Sequence, residues 1–109
     1  MRPLDQKACD LGAELVRLWE NWSDANEVES ELAMRNRAKE IRALDLHQVD
    51  GVIASPLNYF VCAYMEDSNP EDLTISEMVD SLKVSLSIMQ PVAPPYMSGL
   101  QIQNRFNPD

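Results

Sequence analysis

The one histidine, His47, sits between two acids in the run Asp45-Leu46-His47-Gln48-Val49-Asp50, the nearest this sequence comes to a metal-ligating or acid–base pattern. On a helix, His47 and Asp50 share a face while Asp45 points elsewhere, so at most two of the three groups converge. A metal centre wants three or four ligands in an enforced geometry. Cys9 and Cys62 do not supply the remainder, because each lies inside an apolar pattern. Cys62 stands in the most apolar stretch of the chain, where desolvation raises a thiol pKa and disfavours the reactive thiolate. No serine occupies a Gly-x-Ser-x-Gly context, and three isolated glycines cannot build a phosphate-cradling loop. The adjacent carboxylates Glu66-Asp67 and Glu71-Asp72 fall at expected helix boundaries, where acids act as caps and dipole partners. The expectation is a protein with no catalytic, cofactor or metal-binding residues, and so not an enzyme.

The charges suggest contact chemistry instead. Eighteen acids against nine bases leave a net charge of −9, which repels phosphate backbones and anionic membrane surfaces. The bases are unevenly placed: Arg35, Arg37, Lys39 and Arg42 fall within eight residues, whereas Glu66, Asp67, Glu71, Asp72, Glu77 and Asp80 form a stretch with no base among them. The two stretches could attract each other within one chain or between two, or stand as two solvated faces. Arg35, Lys39 and Arg42 share one helical face, and Arg37 lies off it. A helix-turn-helix using this region would need LNYFVCAYM as its recognition helix, and that segment has no Arg, Lys or Gln to read a base.

Two further features have the composition of contact surfaces. Trp19 and Trp22 lie three apart, and tryptophan is enriched where interfaces are strongest. Trp22 continues a leucine stripe and reads as core, leaving Trp19 as the better contact candidate. The segment 91–109, PVAPPYMSGLQIQNRFNPD, has a proline cluster that favours extended backbone, followed by Leu100, Ile102 and Phe106 with polar residues between them. Its formal P-x-x-P match at Pro91–Pro94 has no basic neighbour and is weak.

These surfaces must be positioned by a helical framework. The uncharged run Gly51 to Met65 is fifteen residues long in a chain that is one-quarter charged, so it has to be buried. Leu4, Ala8, Leu11, Leu15, Leu18 and Trp22 step by four and three along one stripe of a helix over residues 3–22, beside a row of small residues at Cys9, Gly12, Ala13 and Val16. Gly12 weakens a helix interior, and close approach by another helix would compensate. Ser23 and Asp24 offer caps for a second helix over residues 25–44, with a thin stripe of Val28, Leu32, Ala38 and Ile41, and Met34 and Leu44 at its edges. Residues 45–54 read as a short helix or a turn. Ser55-Pro56 is a helix start, serine as cap and proline at the first position, opening the central helix, which is expected to end near residue 67. Asn69-Pro70 repeats that pattern and opens at most one turn. Thr74 with Glu77 forms a capping box for a helix running to Met89 on Ile75, Met78, Val79, Leu82, Leu86 and Met89.

A chain of 109 residues is one domain by size. The reading is all-α: a small bundle of four to five helices over residues 1–90, with an extended C-terminal arm over residues 91–109. Residues 84–104 carry no charge but are broken by Pro91, Pro94 and Pro95, so no membrane span is expected. The opening MRPLDQKACD has no apolar signal core, and two thiols in apolar settings suit a reducing cytoplasm. The functional expectation is a non-enzymatic protein–protein interaction module: a small acidic regulator, inhibitor or assembly factor, one version of which mimics nucleic-acid charge toward a basic partner. Homodimerisation is a related expectation. The contact residues expected are Trp19, Arg35, Lys39, Arg42, Tyr96, Leu100, Ile102 and Phe106. The alternative is a nucleic-acid-binding regulator using the Arg35–Arg42 face.

Overall fold

Four helices carry the leucine, alanine and methionine pattern into an antiparallel bundle, seen in a computed structural model that describes residues 1–69 and 71–90. They are α1 (Pro3–Glu20), α2 (Glu27–Arg42), α3 (Gly51–Met65) and α4 (Ile75–Met89), with one-turn 3-10 segments at Asp24–Asn26 and Leu46–Gln48. Each helix packs on the next and α4 closes back on α1, so α2 and α4 stand at opposite corners. No helix among the described residues is long and apolar enough to cross a membrane. The arm, residues 91–109, lies outside the described residues, as does Pro70.

In α1 the expected stripe is the buried one. Ala8, Leu11 and Leu15 are in the core, and Leu4, Leu18 and Trp22 pack partly against it. Cys9 and Gly12 are buried beside them. A Cβ on Gly12 would stand 3.1 Å from Leu82 Cδ1 and 3.5 Å from Leu57 Cδ2. The glycine therefore lets α3 and α4 approach closely, which offsets its propensity cost. The helix stops two residues short of Trp22, and Asn26 organises the turn into α2. The Asn26 carboxamide oxygen accepts from Ser23 N–H and Ser30 Oγ, while its nitrogen donates to the Asn21 carbonyl.

The uncharged run forms α3 over its whole length. Ile53, Leu57 and Phe60 are fully buried, and α3 touches all three other helices. Its start corrects the sequence expectation: the cap is Asp50, whose carboxylate accepts from Val52 N–H at 2.9 Å, and Pro56 sits in the second turn. The proline removes the hydrogen bond to the Val52 carbonyl, and Val52 is on the solvent side, where water can replace it. Starting five residues earlier also places Ile53 in the core. Residues 45–54 thus divide between a 3-10 turn capped by Asp45 and the first turn of α3.

The ends of the bundle are tied by polar contacts. Arg2 donates to both carboxylate oxygens of Asp5, at 2.8 and 3.1 Å, and to the Gln48 carbonyl, while Asp50 N–H donates to Asp5 Oδ1. Asp5 is buried, and these donors hold its carboxyl below the usual carboxylate range, the Arg2 contact contributing most. At the other end, Asn69 accepts from Leu73 N–H and donates to its carbonyl, and Thr74 with Glu77 forms the expected reciprocal capping box. Asp67 and Asp72 in this connection adopt φ of 50° and 52°, a left-handed conformation that aspartate tolerates better than most side chains.

Candidate functional site

The site of interest is the outward face of α2, and it arises because that helix is rotated from the orientation its apolar residues predict. Met34, Ala38 and Ile41 are completely buried, joined by Ser30. Val28 and Leu32, expected in the core, are 79% and 56% exposed. Polar contacts set the rotation. Arg37 reaches Glu14 on α1 at 2.9 Å and also pairs with Glu40. Arg35 donates to the Tyr64 carbonyl at the C-terminal end of α3, where a cation is favoured, and its guanidinium lies 5.5 Å from the Tyr64 ring centre. Turning Val28 inward would swing Arg37, which lies across the helix from it, away from Glu14.

Four of the expected contact residues can be placed. Lys39 and Arg42 are exposed and make no ion pair among the described residues. Arg35 is shared between the Tyr64 carbonyl and Glu31, at 3.1 Å, so its charge is largely used inside the chain. Trp19 is half-buried, packs on the core and stacks at a tilt with Trp22, ring centres 5.6 Å apart. Tyr96, Leu100, Ile102 and Phe106 lie outside the described residues. Positions 28, 32, 35, 39 and 42 follow steps of four and three, so two bare apolar side chains and three cations form a single stripe along α2. The sequence shows that spacing, but placing Val28 and Leu32 in the core conceals the stripe.

The acidic stretch is on the surface at the far end of the bundle. Glu66, Asp67, Glu71, Asp72, Glu77 and Asp80 are all exposed, near the α3–α4 connection, while Lys39 and Arg42 close the opposite end of α2. Among the described residues no ion pair joins the two groups. Of the alternatives the sequence leaves open, the described residues therefore match two solvated faces rather than an attraction within the chain.

The residues with reactive potential are dispersed. His47 is exposed on its 3-10 turn, and its backbone N–H donates to Asp45. Burial pushes both thiols up, and at Cys62 the nearby Glu66 adds to the effect. No group of three or more His, Cys, Asp or Glu converges among the described residues. A cleft of about 270 Å³ between α1 and α2 is lined in part by Glu14, Arg17, Leu18 and Arg37. Arg37 is engaged by two glutamates there, and its buried Nε has no partner among the described residues. No protein-family model matches the chain, and no curated protein or solved structure is significantly similar to it.

Proposed function

We propose that this chain is a non-enzymatic protein–protein interaction module, a small acidic regulator, inhibitor or assembly factor that docks through the outward face of α2. The observation that carries this reading is the exposure of Val28 and Leu32 in line with Lys39 and Arg42. Bare aliphatic side chains one turn apart can fill pockets on a partner, and the adjoining cations favour an acidic rim around those pockets. The rotation that exposes them is held by Arg35 and Arg37, so the face is presented before any partner arrives, which lowers the cost of ordering on binding.

The test is affinity capture from the source cell with the intact chain and with V28E/L32E. Both should have the same circular dichroism, since neither side chain is in the core. A protein retained by the first and lost by the second supports the reading; identical retention by both defeats it. The nucleic-acid alternative has less support, because Lys39 and Arg42 alone would give only about two phosphate contacts and a shallow salt dependence. A low-salt gel shift abolished by K39E/R42E would revive it. In the charge-mimic version the exposed 66–80 acids face a basic groove, and nucleic acid should then displace the chain from its partner.

A further inference from the structure

A second apolar pair lies at the corner opposite α2. Val84 and Ile88, one turn apart on α4, are 61% and 58% exposed. On the same outward stripe, nearer the start of α4, stand the exposed acids Glu77 and Asp80. Asp80 makes no ion pair among the described residues. The order along this stripe is the reverse of that on α2. α4 runs from acids to an aliphatic pair, whereas α2 runs from the aliphatic pair Val28 and Leu32 to the cations Lys39 and Arg42.

We propose that the α4 face receives the α2 face of a second copy of this chain, with the two helices antiparallel. The proposal rests on the reading of α2 as a docking face and names its partner. Spacing and charge both fit this occupant. Val28 and Leu32 are about 6 Å apart along their helix, as are Val84 and Ile88, and Lys39 follows Leu32 by about 10 Å, the distance from Val84 back to Glu77. Setting Val28 level with Ile88 therefore brings Leu32 level with Val84 and Lys39 level with Glu77. Asp80 is then about 4.5 Å along the axis from Lys39, within reach of a lysine side chain, and Arg42 lies about as far from Glu77 on the other side. The acids of α4 thus form the rim that the α2 cations favour. In full overlap no other pairing of these faces does so. A parallel α2–α4 pair sets the cations against Val84 and Ile88. Either face on its own copy sets like charges together when parallel, and charges against aliphatic side chains when antiparallel. Because α2 and α4 stand at opposite corners, each contact leaves one free face on either copy. The assembly is heterologous and grows head to tail instead of closing as a symmetric dimer. Two aliphatic pairs and a few charges make a small contact, so it belongs to the weak, transient class.

The experiment is sedimentation equilibrium of the full chain over concentrations on the order of 10 µM to 1 mM, where weak contacts saturate. Salt of about 0.15 M screens the repulsion between the acidic chains beyond about 8 Å. The average mass should rise with concentration and pass that of a dimer without a plateau. V28E/L32E and V84D/I88D should each weaken association by about tenfold or more, as expected for charges set into an aliphatic contact. Mixed in equal amounts, the two variants should recover association and stop at two chains, because one contributes only α4 and the other only α2. All four positions are exposed, so the circular dichroism should be unchanged. If it is not, a charge exchange decides: K39E and D80K should each weaken association, and K39E/D80K should restore it. The exchange is made at Asp80 because Glu77 also caps α4 with Thr74. A chain that stays monomeric throughout, a plateau at two chains, a mixture that does not associate, or an exchange without rescue would each overturn the proposal. A chain that stays monomeric, yet loses a captured protein on V28E/L32E, keeps α2 as a docking face and refutes only the second copy as its occupant.

Discussion

α1 and α2 are adjacent helices of similar length, yet only α1 presents to the core the stripe its apolar residues define. α1 places aliphatic or aromatic side chains at every step of its stripe, so any rotation would expose several of them, each costing about 1.5–3 kcal/mol. α2 has too few apolar residues for burial alone to fix its rotation. A rotation centred on Val28 and Leu32 would bury two aliphatic side chains, whereas the one adopted buries Met34, Ala38 and Ile41. The adopted rotation also satisfies Arg37 against Glu14 on α1, with Arg35 meeting the Tyr64 carbonyl at its edge. Where hydrophobic patterning is dense it dictates orientation; where it is sparse, a few polar anchors decide, and the displaced apolar residues become surface.

The sharpest test of that contrast is truncation of the residues that α2 buries. Met34→Ala should cost about 2–5 kcal/mol, in the range of Leu15→Ala in α1, because both side chains are fully enclosed. Urea unfolding followed at the tryptophans would measure both. A Met34→Ala cost below 1 kcal/mol would mean that α2 is not seated as described.

Removing an anchor should have a smaller effect. Arg35→Ala deletes the contact to the end of α3 and the stacking on Tyr64, at about 1 kcal/mol, moderated because the guanidinium is nearly half exposed. The same variant should broaden amide resonances through α2 more than through α1, since the rotation of α1 does not rest on such contacts.

Tyr64, which receives α2 at this seam, offers a pH readout. Burial pushes its hydroxyl up to about 12, and its one side-chain partner is the Met34 sulfur at 3.7 Å. Its pKa is higher folded than unfolded, so its contribution is fully present below about pH 10, the ordinary tyrosine value, and is lost as pH rises toward 12. Tyr64→Phe should therefore flatten the alkaline limb of the stability profile. At neutral pH it should change stability by less than about 1 kcal/mol, because a thioether is a weak acceptor.

The smallest effect belongs to the surface stripe. Val28→Ala and Leu32→Ala should alter stability by no more than about 0.5 kcal/mol, as is usual at exposed positions. A larger loss from Leu32→Ala would return that residue to the core and remove the basis for docking through α2.

Much of the architecture is legible in the residues themselves. The α1 stripe, the Thr74–Glu77 box and the uncharged run that becomes α3 are local signals whose period and chemistry need no tertiary partner to be read. Ser55-Pro56 has the form of a helix opening, but Asp50, an equally good cap five residues earlier, also allows Ile53 to be buried, and α3 starts there. The candidate site was only half legible. Lys39 and Arg42 are visible as a basic cluster, but Val28 and Leu32 join them only once α2 is rotated. The composition of α2 leaves two candidate faces, and the one adopted is held in addition by contacts from Glu14, twenty-three residues before Arg37, and from Tyr64, twenty-nine after Arg35. Periodicity within a helix determines that it has a buried side; which side faces inward, when hydrophobicity is nearly balanced, is decided by the groups that surround it in space.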